Sequence, residues 1–376
     1  MSGPLAGLKF IEMVGIGPGP FAAMVLADLG ADVLRIDRIQ PSGIGIERPV
    51  DCDFAARGRA SVALDLKQPQ AVQLVLDLIA QADGLIEGFR PGVMERLGLG
   101  PDPCLARNPR LAYGRLTGWG QTGPLAHTAG HDLTYLAQTG VLNALGRAGA
   151  APAPPANLLG DYAGGSLMMV IGLLAAIQSG RGQVVDAAIV DGVSLLATPM
   201  LGLMAAGIHS GGRGQNLLDT GAPQYDSYIC ACGGYLAVAP IESKFRTDLL
   251  RGLGFDPATF PDVTDRANWP AARRLIAGRI ASRTRDDWAA VFDGSDACAT
   301  PVLSFAEAQA HPAAQERAAW VTVAGHPQPA PAPRFSATPT ATPTPPQPRG
   351  AGADALDGWG ITDTRRQALR AAGIML

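Results

Sequence analysis

The chain has 376 residues, 47% of them hydrophobic and 17% charged, with a formal net charge of −3. That length calls for two or three domains or a large domain with a smaller lobe, and that composition excludes a disordered chain. The weakly acidic balance offers no basic field for nucleic acid or for an anionic membrane surface. Five cysteines (52, 104, 230, 232 and 298) form an odd set without a CxxC pair. That set argues against a disulfide framework or zinc ribbon, and the thiols read as buried and free in a reducing compartment. A strand-like segment begins within ten residues of the start, with no basic and apolar leader before it. The chain therefore reads as soluble and cytoplasmic. The longest apolar run, Gly192 to Ile208, contains Ser194, Thr198 and Pro199 and is short for a membrane span of about 20 residues. It reads as a buried or interface helix.

Residues 8–14 read as a strand, Gly15-Ile-Gly-Pro-Gly-Pro20 as a turn and Phe21–Leu29 as an apolar helix, followed by a strand ending in Asp37. The pattern recurs, with strands at 61–66, 84–87 and 111–116 and a helix at 68–82. Repeated strand–helix alternation with Val-, Ile- and Leu-rich strands predicts an α/β fold built on a mostly parallel sheet. Residues 161–210 read as helical around one further strand at 182–190. The Tyr-rich strands of 225–240 and the helices up to about 292 mark a smaller α+β domain. Residues 322–350, rich in Pro, Ala and Thr, read as extended, and the amphipathic segment 364–374 suggests a strap returning to the first domain. The expected boundaries are 1–210, 211–310 and 311–376.

The Gly15–Pro20 turn resembles a dinucleotide fingerprint, with Asp37 placed to hold a ribose. Pro20 stands where the third glycine belongs, and Pro18 and Pro20 remove N–H groups that would cradle a pyrophosphate. NAD is disfavoured. Arg38, Arg57, Arg59 and Arg90 flank these strands and as a set suggest a phosphorylated ligand. Three groups suit proton chemistry. His131 lies in Gly130-His-Asp-Leu-Thr-Tyr135, with His127 as a competitor. Asp161 precedes Gly164 and Gly165 where a helix N-cap is expected. There the helix N-terminus offers oxyanion donors, and the glycines would let a ligand approach closely. Glu242 sits alone among apolar residues and is expected to be buried, paired or raised in pKa.

Several runs are similar to the CaiB/BaiF-type family III CoA-transferases, and within them to the branch that racemises α-methylacyl-CoA. They include 19–31, Leu64-Asp-Leu-Lys67, Phe89-Arg-Pro-Gly-Val93 and Thr117-Gly-Trp-Gly-Gln-Thr-Gly-Pro124. Gly130–Tyr135, Asn157-Leu-Leu-Gly-Asp161, Arg213–Asp219, Ile241–Phe245 and Asp296–Leu303 extend the match over residues 4–336. The resemblance implies a Rossmann-like large domain, a smaller α+β domain and an interlocked homodimer. It also implies an acyl-CoA substrate with CoA contacts at Arg38, at Leu64, Asp65, Leu66 and Lys67, at Gly88, Phe89 and Arg90, and at Gly130, Asp132, Leu133, Thr134 and Tyr135. Transferases of this family typically carry Tyr in the loop at 131 and use the Asp matching Asp161 as a nucleophile; racemases carry His. His131 therefore implies an epimerase of 2-methylacyl-CoA thioesters, with His131 and Asp161 as the proton-transferring pair. Glu242 is implied as a third group reaching them from the partner subunit. Glu242 departs from the pattern in being followed by Ser-Lys. No metal or resident cofactor is implied, since CoA belongs to the substrate. The alternative is a CoA-transferase working through an Asp161 anhydride.

Overall fold

In the computed structural model, which describes residues 2–41, 43–351 and 354–376, the chain forms two compact units. The first comprises residues 1–139, 156–196 and 313–376; the second comprises 140–155 and 197–312.

The first unit is built on six strands: β1 (Lys9–Met13), β2 (Asp32–Arg38), β3 (Ala60–Leu64), β4 (Gly84–Glu87), β5 (Ala112–Thr117) and β6 (Gln183–Ala188). Their spatial order is β3-β2-β1-β4-β5-β6, with every neighbouring pair parallel. Strands covered on both faces need apolar side chains at successive positions, not alternate ones. Phe10 and Ile11 of β1 and Leu34 of β2 accordingly have no exposed surface. The helices Pro18–Asp28 and Pro69–Ile79 follow β1 and β3, each with proline in its first turn. There the missing N–H costs nothing and the fixed φ suits helix entry. Strand order reverses between β1 and β4, so the crevice beyond their carboxyl ends is the expected ligand position.

After β5 the chain enters the Asp132–Gln138 helix, and later a long helix, Leu158–Ser179, whose first ten residues (Leu158–Leu167) are wound as π-helix. It is long and apolar enough to cross a membrane. Here it packs on β5 and β6, burying Met169, Val170 and Leu173. Its Gly164 and Gly165 lie against the Ile189–Leu196 helix. A Cβ on Gly192 of that helix would fall 1.8 Å from the Gly164 carbonyl oxygen. The glycine pair therefore serves helix contact, not the ligand approach expected above.

The second unit carries an antiparallel sheet of β7 (Asp226–Ile229), β8 (Tyr235–Val238) and β9 (Ala299–Pro301). Leu236, Leu249, Ile276, Ile280, Trp288 and Phe292 form its core. Residues 140–155 and 197–210 cluster here, not with the first unit as their sequence position suggested. Two arginines hold the earlier segment: Arg147 forms a two-pronged ion pair with Asp226, and Arg213 donates to the Asn143 carbonyl.

Residues 313–376 cluster with the first unit. The proline-rich part is more regular than its composition implied. Trp320–Val323 (β10) and His326–Pro329 (β11) form a hairpin whose two central residues, Ala324 and Gly325, have φ of 51° and 81°. Positive φ at both positions matches the twist that two-residue hairpins favour. Of the five thiols only Cys104 and Cys230 are buried; Cys232 and Cys298 are exposed.

The arginine set divides. Arg57 is buried, pairing with Asp28 at 2.5 Å and donating to Gln328 and to the Pro329 carbonyl. Arg59 is buried, 2.9 Å from Glu12, and donates to the Pro20 carbonyl. Both are structural and cannot reach a phosphate. Arg57→Ala leaves the Asp28 carboxylate buried without its partner, which costs about 3–5 kcal/mol. Urea denaturation should show a lower midpoint with an unchanged slope, and hydrogen exchange should quicken across β10 and β11. An unchanged midpoint would show that the pair does not hold the hairpin.

Candidate active site

His131 is the residue before the Asp132–Gln138 helix, with extended backbone at φ −138°. Thr134, three residues on, accepts the His131 N–H through its hydroxyl and returns that hydroxyl's proton to the His131 carbonyl. The imidazole is left exposed. Behind it, the Tyr135 hydroxyl donates to the Gly130 carbonyl at 2.5 Å, and its ring meets Trp119 edge-on. Burial pushes the Tyr135 phenol up to about 12, so it stays a donor. A side chain on Gly130 or Gly118 would strike the Tyr135 ring. Tyr135, expected to contact CoA, instead braces the loop.

Asp132 points inward. Its Oδ1 accepts the Asp161 N–H at 2.8 Å, joining the two loops that carry the candidate proton-transfer groups. A Cβ on Gly160 would sit 2.3 Å from that oxygen, so only glycine fits there. Asp132 too was expected to bind CoA; at 6% exposure it is a positioning residue.

Asp161 lies inside the first turn of the π-helix, four residues after the helix-flanking Asn157, and not at the N-cap itself. Its Oδ2 is 3.5 Å from Asn157 Nδ2 and faces the Gly17 backbone of the Gly-rich turn. The same turn is tied to the helix by Ser166, whose hydroxyl reaches both the Pro18 and the Asp161 carbonyls. Phe21 stacks on Tyr162 with ring centroids 4.6 Å apart. Gly15–Pro20 thus forms one wall of the Asp161 site. Burial, and next the charge of Asp132, raise the Asp161 carboxyl above its ordinary value; Asn157 and His131 pull the other way. A raised carboxyl is a better match for proton exchange near neutrality. In a π-helix the first five N–H groups have no partner within the helix. The Asp161 N–H is taken by Asp132.

Asp37, expected from the fingerprint to face a ribose, is buried, and its Oδ2 accepts from Arg35 and from the Ser61 hydroxyl. Beyond the strand ends, Arg38 lies 5.9 Å from the ring of Phe89. Gly88 and Arg90, on either side of Phe89, are exposed, and so is Lys67. The Phe89 N–H is held by Glu87, whose carboxyl burial pushes up to about 7. Leu64 is 1% exposed within the core, so its side chain is closed to a ligand, while the partly buried Leu66 packs against that core. Asp65 accepts from the Lys67 N–H and from Gln68. Leu133 and Thr134 are exposed beside His131. His127 is exposed as well.

Glu242 belongs to the second unit, where it precedes the Ser243–Gly252 helix. It is exposed, contrary to the buried environment its apolar neighbours suggested. The adjacent Tyr235–Val238 strand alternates exposed and buried positions, and the chain leaves that register before Glu242. Asn157, Gly17 and Ser166 were not singled out as site residues. Only Asn157 carried a signal, as the opening residue of a recognisable run.

An α-methylacyl-CoA racemase of Mus musculus is 44% identical over 322 residues, spanning 85% of this chain and 82% of that protein. The protein of the same name from Homo sapiens is 42% identical over 322 residues, with the same coverage of 85% and 82%. Among solved structures, a CaiB/BaiF family protein from Brucella suis matches with a TM-score of 0.78 at 26% identity, covering 95% of this chain and 99% of that one. Residues 5–354 match the model of CoA-transferase family III, and the chain belongs to that family.

Proposed function

We propose that the chain is an isomerase that interconverts the (2R) and (2S) epimers of 2-methylacyl-CoA thioesters by 1,1-proton transfer. The observation that carries this reading is the coupling of His131 to Asp161 through Asp132, which holds the Asp161 N–H at 2.8 Å. The named activity of relatives 44% and 42% identical to it supports the same reaction.

A thioester acidifies its α-proton because removal gives an enolate. One of the pair, His131 or Asp161, takes that proton while the other delivers one to the opposite face, and the roles exchange with direction. Each positioned acid or base contributes roughly 10²–10⁴-fold. The enolate oxygen is held by the unoccupied N–H groups of the Asp161 turn. Arg38, Phe89 and the exposed Gly88, Arg90 and Lys67 supply the CoA contacts. The carbon skeleton and the sulfur stay in place throughout, so no acyl–enzyme bond forms.

A homodimer is part of this reading. Leu167, Ile171 and Leu195 of the first unit are 42%, 59% and 60% exposed, and Leu201 and Met204 of the second are 57% and 53% exposed. Apolar surface of that kind marks association. In the dimer the exposed Glu242 of a second copy serves as the third polar group of the site.

In D₂O the enzyme should exchange the α-proton of a single 2-methylacyl-CoA epimer and yield both epimers, with no labelled CoA passing to a free carboxylic acid. CoA transfer without α-exchange would overturn the racemase reading in favour of the Asp161 anhydride. His127→Gln should leave exchange intact. Asp132→Ala, which frees the Asp161 N–H, should cut kcat about 100-fold, the scale of a catalytic group displaced by 1 Å. Asp132→Asn should restore much of that, because its amide oxygen can still accept. With Asp161 as the base, removing the negative charge lowers its pKa. The acid limb of the Asp132→Asn pH–rate profile should therefore move to lower pH, and an unmoved limb would refute the coupling.

A further inference from the structure

Away from the proposed proton-transfer site, the first unit gathers three metal-ligating side chains from distant parts of the chain. Asp51 and Cys52 share the short helical turn Val50–Cys52, and His326 opens β11. Cys52 Sγ is 3.8 Å from His326 Nε2, and Asp51 Oδ2 is 3.5 Å from the same nitrogen. All three donor atoms lie within 4.8 Å of one another.

The convergence on one ring nitrogen is informative. A thiol–imidazole–carboxylate relay needs the acid and the thiol on opposite nitrogens, which these residues do not provide. A tetrahedral ion with zinc bond lengths separates its donors by about 3.3–3.6 Å, close to the 3.8 and 3.5 Å found from His326 Nε2 to the other two donors. The imidazole is also held from outside the cluster. The Phe54 ring lies 5.7 Å from it, the Ala324–Gly325 turn sets the strand that bears it, and Arg57 anchors that strand at Gln328 and Pro329. Burial and the neighbouring Asp51 carboxylate raise the Cys52 thiol, so alone it keeps its proton and is a poor nucleophile.

We propose that Asp51, Cys52 and His326 form a site for a divalent cation of the zinc(II) class, which clips the β10–β11 hairpin to the Val50–Cys52 turn. On binding, the Cys52 S–H bond breaks, its proton passes to solvent, and a sulfur–metal bond forms. His326 Nε2 and one Asp51 oxygen each donate a lone pair, and water takes the fourth position. Nothing is oxidised or reduced. One thiolate and one carboxylate neutralise a doubly charged ion, which suits a half-buried position. The thiolate and imidazole favour zinc over calcium or magnesium, which prefer all-oxygen sets.

The test uses the full chain with the exposed thiols removed as Cys232→Ser/Cys298→Ser. Cobalt(II) added to it should give a saturable thiolate-to-cobalt charge-transfer band at one equivalent, and zinc(II) should displace the cobalt and raise Tm in a concentration-dependent way. The band should vanish in Cys52→Ser. Asp51→Asn alters an exposed side chain and should leave the fold intact. It should weaken cobalt binding roughly 10-fold or more, since losing a ligand costs no less than losing a ligand's supporting hydrogen bond. No band in the parent, or a band that survives Cys52→Ser, would overturn the site.

Discussion

The hydrogen bond from the Asp161 N–H to the Asp132 carboxylate is the contact on which the site depends. It joins the start of one helix to the first turn of another across a gap that no Cβ could share, which is why residue 160 is glycine. The Asp132–Gln138 helix follows β5, and the π-helical turn of Asp161 leads into a helix packed on β5 and β6. A single short interaction thus converts the rigidity of the sheet into a fixed relation between the His131 backbone and the Asp161 side chain.

The same contact shapes the electrostatics. Asp132 places a negative charge beside Asp161, adding to the effect of burial on its carboxyl. Two carboxylates with different environments take different duties. Asp132 accepts a backbone hydrogen bond and positions; under the proposed reaction the Asp161 side chain is the one that moves a proton. The Gly15–Pro20 turn has an analogous double use. Its prolines are unsuited to a pyrophosphate, yet its Gly17 backbone borders Asp161 and its Pro18 carbonyl receives Ser166. Beneath it, Arg59 holds the Pro20 carbonyl and faces Glu12, so the turn rests on a buried ion pair.

Much of this was legible in the residues. Strand periodicity and the glycine and proline punctuation located the six parallel strands, because a doubly covered sheet demands continuous apolar runs. His131 and Asp161 stood out as proton-handling types at helix starts. What failed was the sorting of side chains by direction. Arg57 and Arg59 just before β3, and Asp132 and Tyr135 in the first turn of a helix, are polar residues that read as open to a ligand, yet each turns inward to a protein partner, as Arg57 does to Gln328. Glu242 erred in the opposite sense, since apolar neighbours in sequence said nothing of which way the chain leaves its strand. The Ala324–Gly325 hairpin was hidden because composition averages over the two residues whose positive φ makes the turn. The Asp51, Cys52 and His326 cluster was beyond spacing rules, with members 275 residues apart.

The central claim is that His131 and Asp161 address opposite faces of one carbon. It is tested most directly by measuring α-proton exchange in D₂O for each pure epimer of a 2-methylacyl-CoA with His131→Gln and with Asp161→Asn. Two opposed bases predict that neither variant epimerises, while each still exchanges one epimer, and that the exchanging epimer differs between them. Loss of exchange for the same epimer in both variants, or epimerisation that survives either substitution, would contradict the account.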